Sequence, residues 1–165
     1  ATGITISQIE EVVGKEISVY RAMPNTAADV KESLTCVCAN RAISEEDEIT
    51  QIFNSIGKSI VIEEGLMEAA TVLGACGIAY VLRFIRGMIQ GGIEIGFNAK
   101  VATDIVTQTV KGASELLIQN GTHPESEIDK VTTPRGCTIA GLNEMEHNGF
   151  SSALIKGIVT SYEKI

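Results

Sequence analysis

The chain has 165 residues, of which 44% are hydrophobic and 21% are charged, and its formal net charge is −8. This composition is typical of a soluble globular protein and excludes an intrinsically disordered chain. The negative charge makes nucleic acids and anionic membranes poor partners.

A helix and a strand are predicted first. Thr5 or Ser7 can cap a helix that ends at Gly14. The predicted apolar face of this helix consists of Ile9, Val12 and Val13. A strand is predicted over residues 17–23, and the turn Pro24-Asn25-Thr26 ends it.

A second strand, a helix and a third strand are predicted next. The strands lie at residues 34–39 and 58–62. Ser44-Glu45-Glu46-Asp47 has the pattern of a capping box, and Gly57 is the predicted end of the helix. The apolar stripe of this helix is Ile49, Ile52, Phe53 and Ile56. Alternating helices and strands are typical of an α/β domain. So small a sheet predicts that the chain is a fragment whose earlier strands are missing.

The remainder of the sequence predicts helices alone. They are expected at about residues 64–75, 77–96, 98–120, 125–129, 138–147 and 150–163. The helix at 77–96 is apolar nearly all round, which indicates burial on every side and therefore a partner chain. The inner face of the next helix is predicted to be Ile105, Val106, Thr109, Val110, Ala113, Leu116 and Leu117, with Gly121 as the C-cap.

Metal binding and membrane insertion are not expected. The pair in Cys36-Val37-Cys38 is too tightly spaced for an ordinary zinc site, and the chain has only two histidines. Free thiols in a reducing, cytoplasmic location are predicted instead. The apolar run at residues 69–82 is shorter than the roughly 20 residues that a membrane-spanning helix needs. It is therefore predicted to be a buried core segment.

A loop before one predicted helix is a candidate ligand site. Residues 131–142 read VTTPRGCTIAGL. A helix N-terminus has unpaired N–H groups and partial positive charge, so it can bind either a capping side chain or an anion. Thr133 or Thr138 can cap its own helix. Alternatively, a ligand carboxylate can bind there, and the local sequence leaves both possibilities open.

Two further stretches are candidates. The turn at residues 23–26 follows a strand, where ligands bind in α/β sheets, although a plain turn explains it equally well. Glu63-Glu64 lies at a helix start, where its charge can serve a ligand or merely stabilise the helix dipole.

Four motifs occur in a characteristic order. They are RAMPNT at residues 21–26, GIAYV at 77–81, TPRGCTIAGL at 133–142 and EHNGF at 146–150. Together they resemble the C-terminal part of pyrroline-5-carboxylate reductases, over essentially the whole chain. The resemblance implies an α/β remnant, the last strands and helices of a Rossmann domain at residues 1–62. An all-α dimerisation domain at residues 63–165 would follow, so that the chain is mainly helical.

The resemblance also implies a reaction. Such enzymes reduce the C=N bond of 1-pyrroline-5-carboxylate to L-proline, the last step of proline biosynthesis, with a hydride from NADPH or NADH. Their sites form where the nucleotide domain of one subunit meets helices of another, so a homodimer or larger homo-oligomer is expected. No G-x-G-x-x-G motif follows a strand here. The nucleotide-binding half is therefore expected upstream of residue 1, and this chain alone is expected to be inactive.

The substrate site implied by the resemblance consists of Glu64, Thr133, Gly136, Cys137 and Thr138. The backbone amides of Gly136, Cys137 and Thr138 would bind the substrate carboxylate. The Thr138 hydroxyl would lie near the ring nitrogen, to orient it or to help deliver a proton, which makes Thr138 the catalytic candidate. The charge of Glu64 would favour the protonated imine.

The implied cofactor contacts are Ala1, Thr2, Asn25 and Lys130. Lys130 stands where the family often has an asparagine. The family usually has proline at the positions of Ala27 and Ile78 and glycine at that of Arg135. Ile78 is expected to make a helix start less rigid, and Arg135 either strengthens anion binding or points to solvent.

Two alternatives remain open. One is a related NADP-dependent reductase of another imine or a hydroxy acid, and the other is a non-catalytic helical dimerisation module. The residues that would choose between NADPH and NADH lie in the missing half. The sequence does not distinguish a dimer from a larger ring.

Overall fold

Helices alternate with strands in the first third of the chain and continue without strands to its C-terminus. The computed structural model describes residues 3–44 and 46–165. The elements are α1 (Ile6–Val13), β1 (Tyr20–Met23), β2 (Ser33–Ala39), α2 (Glu48–Asn54), β3 (Gly57–Val61), α3 (Met67–Ala70), α4 (Gly77–Glu94), α5 (Ala99–Asn120), α6 (Pro124–Lys130), α7 (Cys137–His147) and α8 (Phe150–Tyr162). This order confirms the predicted α/β remnant followed by helices.

The chain divides into two compact units. Unit 1 comprises Ala1–Tyr80 and Lys156–Ile165, and unit 2 comprises Val81–Ile155. This division describes packing within one chain. The predicted domain boundary after residue 62 stays a prediction.

The three strands form one sheet in the order β1-β2-β3, with β1 antiparallel and β3 parallel to β2. Ser33 is paired with Gly57, where a Cβ would lie 2.0 Å from the Ser33 carbonyl oxygen. Only glycine fits so close to a neighbouring backbone. The expectation that Gly57 ends α2 is therefore wrong: the helix ends at Asn54, and Gly57 opens β3. The first strand also begins later than expected, at Tyr20.

Helix α1 is capped as predicted, but the residues that it buries differ in part from the predicted apolar face. The Thr5 hydroxyl accepts the Gln8 N–H, the Gln8 side chain accepts the Thr5 N–H, and Gly14 ends the helix with φ 90°. Val12, predicted on the apolar face, is 85% exposed. Ile9 packs inward as predicted, but together with Ile6 rather than with Val12 and Val13, because the helix packs on the core through its first turns. The cluster there consists of Ile6, Val19, Cys36, Cys38 and Met67.

The cap of α2 differs from the predicted box. Glu45 lies outside the described residues. The Asp47 carboxylate accepts the Ser44 N–H at 2.5 Å, and the helix begins at Glu48. Ile52, predicted on the apolar stripe, is 55% exposed, while Thr50 on the same helix is buried.

The helices predicted at 64–75 and 77–96 are one continuous helix, Glu64–Glu94, which we call the long helix. It opens with a 3₁₀ turn, continues through α3, widens to a π-helix over Thr71–Cys76 and ends as α4. Gly77 therefore does not start a helix, and Ile78 cannot loosen one. The Asn25 Nδ2 donates to the Gly74 carbonyl at 3.1 Å, which gives the widened segment an outside hydrogen bond.

The long helix is mostly exposed, contrary to the prediction of a buried core segment. Leu73 is 68% exposed and Leu82 is 58% exposed, whereas Met67, Val72 and Ile89 are buried. By length and composition it is also long enough and apolar enough to cross a membrane, which corrects the expectation based on the shorter run at 69–82. Core helices of soluble proteins meet the same criteria.

Unit 2 has its own small core. Ile89 of α4 packs with Ala102 and Val106 of α5. A Cβ on Gly92 would lie 3.2 Å from that of Ala102, so the two helices approach closely. Helix α5 ends at Gly121 with φ 62°, as predicted. Of its predicted inner face, Val106 is buried, but Ile105 and Leu116 are 47% and 48% exposed.

Candidate functional site

The loop before α7 is a tight turn that fixes where the helix begins. The Gly136 N–H donates to the Thr133 carbonyl at 2.9 Å, with Pro134 and Arg135 between them. Arg135 has φ 60°. Proline followed by a residue of positive φ is the pattern of a type II turn, whose third residue is usually glycine. Arg135 therefore occupies a left-handed position that glycine would adopt without strain.

Gly136 is required by its closeness to Thr133. It is the N-cap of α7, with φ −73° and ψ 162°. A Cβ there would lie 2.5 Å from the Thr133 Oγ1 and 3.0 Å from the Thr133 carbonyl oxygen. A side chain at this position would require the Thr133 hydroxyl to rotate away and the Thr133 carbonyl to shift. Thr133 thus contributes to the site by shaping the turn.

No side chain caps α7, so neither Thr133 nor Thr138 is the helix cap that the local sequence allowed. The first helical hydrogen bond is donated by the Ala140 N–H to the Gly136 carbonyl, at 3.5 Å. No atom of the described residues accepts a hydrogen bond from the backbone N–H groups of Cys137, Thr138 or Ile139. These groups are left for water or for an anion, which the helix dipole favours.

The side chains beside these N–H groups are also uncommitted. The Thr138 hydroxyl is half-buried and makes no hydrogen bond to another residue of the described ranges. Cys137 is exposed as a free thiol. The turn therefore presents backbone donors, a hydroxyl and a thiol together at one end of α7.

A groove of about 440 Å³ lies alongside α7. Its floor is apolar, with Ile128, Leu142 and Phe150 among the lining residues. The carboxylates of Glu125, Asp129 and Glu146 line it as well. Their negative charge makes the groove unsuited to an anion.

Glu64 lies in unit 1, at the first turn of the long helix, and it is held by two donors. The Arg21 Nη1 donates to its Oε1 at 2.8 Å, and the Ile6 N–H donates to the same oxygen at 2.7 Å. Partial burial raises the carboxylate pKa, but the Ile6 hydrogen bond and the neighbouring Arg21 outweigh it and hold the pKa below the usual value. Glu64 is therefore kept ionised.

Arg21 is a site residue that the sequence analysis did not identify. Its side chain is only 7% exposed, although it belongs to a strand of otherwise mostly apolar residues. A lone cation in an apolar strand was the available signal, because buried arginines need a partner. Its partner is 43 residues away in the chain, too far for any local pattern to reveal.

The predicted cofactor residues have other partners or lie outside the structure. The Asn25 Oδ1 accepts the Ala27 N–H at 3.0 Å, while its Nδ2 binds Gly74. A proline at position 27, as in the family, would have no N–H to donate and would free the Asn25 oxygen. Lys130 donates to Glu127 at 2.7 Å. Ala1 and Thr2 lie outside the described residues, and a cofactor role for all four stays a prediction.

The predicted site residues thus fall into two groups. Glu64 and Asn25 belong to unit 1, and Lys130, Thr133, Gly136, Cys137 and Thr138 belong to unit 2. Within the described ranges, no cluster of three or more histidine, cysteine or acidic residues is arranged to hold a metal ion.

Comparison with known proteins gives consistent matches. Residues 64–165 match a family described as pyrroline-5-carboxylate reductase dimerisation. Pyrroline-5-carboxylate reductase 1 of Dictyostelium discoideum is 50% identical over 99% of this chain and 32% of its own length. Pyrroline-5-carboxylate reductase 2 of the same organism is 47% identical over 98% of this chain and 60% of its own length.

A solved structure has the same fold. The pyrroline carboxylate reductase of Plasmodium falciparum, with NADP bound, aligns with a TM-score of 0.87 and 32% identity. The alignment covers 98% of this chain and 66% of that one. The chain therefore spans from 32% to 66% of the length of these relatives.

Proposed function

Because this chain belongs to the pyrroline-5-carboxylate reductase family, we propose that it is the C-terminal portion of an enzyme that reduces 1-pyrroline-5-carboxylate to L-proline. NADPH or NADH would supply the hydride. The relatives that align with nearly the whole of this chain are named for that activity. The solved structure of the Plasmodium falciparum relative has NADP bound. The chain alone lacks the length of those relatives and is proposed to be inactive by itself.

The uncapped N-terminus of α7 is the observation that carries the proposal. The substrate has a carboxylate, which needs hydrogen-bond donors. Of the three amides expected to bind it, the Gly136 N–H already donates to the Thr133 carbonyl within the turn, so that part of the expectation is not met. The N–H groups of Cys137 and Thr138 have no acceptor among the described residues. Donors fixed in place before the ligand arrives bind it without reorganisation cost. This end of α7 is thus proposed to bind the carboxylate.

Thr138 is proposed to act next to the bound carboxylate. Its hydroxyl has no partner among the described residues, so it is free to hydrogen-bond the ring nitrogen. Hydride addition is easier to a protonated imine, and a hydroxyl at the nitrogen can orient it or pass a proton. Glu64 is proposed to favour the protonated form through its negative charge.

Two of the residues proposed to contact the cofactor have partners within the chain. The side chain of Asn25 is engaged on both its amide atoms, and Lys130 is paired with Glu127. The proposal assigns the nucleotide-binding half to the part of the enzyme outside this chain, and it keeps Ala1, Thr2, Asn25 and Lys130 as further cofactor contacts. The residues of this chain would bind and orient the imine.

Self-association completes the proposal. The matched dimerisation family begins at residue 64, which supports a domain boundary at residues 62–63. Exposed apolar residues of the long helix, such as Leu73 and Leu82, supply the surface for a second copy. We propose a homodimer or larger homo-oligomer. The free cysteines support a cytoplasmic location.

The test is imine reduction by the full-length protein, with Thr138→Ala and Thr138→Ser compared with wild type. We expect the alanine variant to lose at least about tenfold in kcat, or about 1.4 kcal/mol of transition-state stabilisation, and the serine variant to recover most of it. Full activity in the alanine variant would remove Thr138 from the chemistry. An inactive wild type would favour a reductase of another substrate or a non-catalytic module.

Alkylation of Cys137 provides a readout of binding that does not depend on turnover. Its exposed thiol lies beside the proposed carboxylate site. L-proline should slow its reaction with N-ethylmaleimide, whereas prolinamide, which lacks the carboxylate, should not. Equal protection by both compounds would contradict carboxylate binding at α7.

A further inference from the structure

The groove beside α7 lies entirely within unit 2 and combines apolar with acidic side chains. Two of its apolar lining residues, Met145 and Phe150, are 43% and 41% exposed. The carboxylates of Glu125, Asp129 and Glu146 line the same groove, and no lysine, arginine or histidine of the described residues does. An apolar floor bordered by polar groups is typical of a surface that binds another protein segment.

The three groove carboxylates have no cationic partner. Within residues 3–44 and 46–165, no lysine, arginine or histidine lies within ion-pair distance of any of them. Glu146 accepts the Ser151 hydroxyl at 2.6 Å, which supplies a neutral donor only. Like charges gathered at one groove repel each other and attract a cation. The groove is therefore suited to an apolar segment that carries positive charge.

Two arginines of α4, also in unit 2, have the opposite need. Arg83 and Arg86 are exposed, and neither is within ion-pair distance of an acidic group in the part of the chain that the structure describes. Their spacing puts both on one side of the helix, together with Leu82, which is 58% exposed. We call these three residues the arginine face. It matches the groove in both apolar character and charge.

The arginine face of one chain does not point at the groove of that same chain. Phe84 of α4 contacts Phe150 of the groove, with ring centroids 6.0 Å apart. At 3.6 residues per turn, Arg83 and Arg86 lie roughly 100° and 160° around the helix from Phe84. The side of α4 that meets its own groove is therefore not the side that carries the arginines. They remain available to another copy.

We propose that the groove beside α7 binds the arginine face of a second copy of this chain. The inference rests on the self-association in the proposed function and specifies which two surfaces meet. Asp129 and Glu146 pair with the arginines, and Leu82 covers the apolar floor. Residues 64–165, which match the dimerisation family, include both surfaces. Because the surfaces carry opposite charge, the contact favours groove against helix over groove against groove.

Charge reversal in the full-length protein tests the pairing by sedimentation velocity. Arg83→Glu/Arg86→Glu makes the helix face acidic, and Asp129→Lys/Glu146→Lys makes the groove basic. We expect each double variant alone to self-associate at least about tenfold more weakly than wild type, because like charges then meet. Asp129 and Glu146 lie in the last turns of α6 and α7, where lysine is favourable, so the groove variant should fold.

An equal mixture of the two double variants shows whether the charges meet between copies. Each groove then faces a helix of opposite charge, so association should return to within about threefold of wild type, with both variants in the complexes. A single chain with all four reversals should associate equally well. The control Lys100→Glu/Lys111→Glu makes the same change of net charge at exposed positions of α5 and should leave association unchanged.

Several results would overturn the proposal. Unchanged self-association in either double variant would leave the groove to a different cationic partner. Loss in both without recovery in the mixture would mean that the charges act within one chain, and an equal loss in the control would assign the effect to net charge.

The proposed function can fail separately from this inference. A monomeric wild type would refute the proposed self-association itself. An associated wild type with any of the contrary results would refute only the assignment of the two surfaces. If a double variant does not fold, the single reversals Arg86→Glu and Glu146→Lys, each alone and then mixed, decide the same question.

Discussion

Gly136 and Thr133 approach each other so closely that a Cβ on the glycine would lie 2.5 Å from the threonine hydroxyl oxygen. Gly136→Ala should therefore open the turn, displace the first N–H groups of α7 and destabilise the chain by about 1–3 kcal/mol. Urea unfolding measures the stability, and the KM for the imine measures the anion site. The free energy of unfolding should fall and the KM should rise in the same variant.

Gly141 offers a matched control in the same helix. A Cβ there meets nothing within 4 Å. Gly141→Ala should stabilise the chain by about 0.5–1 kcal/mol, because alanine is the better helix former. Similar effects of the two substitutions would show that the contact with Thr133 does not constrain the loop.

Arg135 is predicted to reduce the stability of the loop that it belongs to. Its φ of 60° is costly for a residue with a Cβ. Arg135→Gly should relieve that strain and, after the entropy cost of glycine, raise the free energy of unfolding by up to about 1 kcal/mol. Arg135→Ala removes the same charge but keeps the Cβ. If alanine stabilised the chain as much as glycine, charge rather than backbone conformation would be responsible.

Glu64 gives stability a defined pH dependence. Its pKa is lower in the folded chain than in the unfolded chain, so its contribution is fully present above the unfolded value, near 4.3. It is lost as the pH falls through the lower folded value. The stability difference between wild type and Glu64→Gln should thus be largest above pH 5 and shrink under more acidic conditions. Urea midpoints between pH 3 and 7 measure it, and a difference that grew toward pH 3 would contradict the ion pair.

Leu82 is predicted to be a contact between copies of the chain. It is 58% exposed on the long helix, within the matched dimerisation family. Leu82→Glu should weaken self-association by at least about tenfold, as measured by sedimentation velocity. Val12, 85% exposed on α1, lies outside the matched family and supplies the control Val12→Glu. Dissociation by both variants, or by neither, would remove this face of the helix from the interface.

Local patterns predict most of the elements, because caps and periodicity act over a few residues. Thr5, Gly14 and Gly121 mark helix ends in the structure as they do in the sequence. The sequence predicts two helices in place of the long helix, because Gly74 and Gly77 are typical of a break. The structure carries the helix across them with a π segment and an Asn25 hydrogen bond from 49 residues away.

In the candidate site too, local features are predictable from the sequence and long-range contacts are not. The turn before α7 is a local feature, so its position is predictable, but whether a threonine caps the helix depends on geometry that the residue types do not specify. The pairing of Arg21 with Glu64 is a long-range contact. Which side of α1 is buried likewise depends on the sheet against which it packs, and this explains why Ile6 rather than Val12 is buried.

In the proposed homo-oligomer, the exposed apolar length of the long helix would make the stability of the fold depend on protein concentration. Leu73, Val81 and Leu82 would leave water when a second copy covers them, so association would supply part of the free energy that stabilises the fold. Dilution withdraws that part. The melting temperature of the chain should consequently rise with its concentration, and a newly made copy would reach full stability only after binding a second copy.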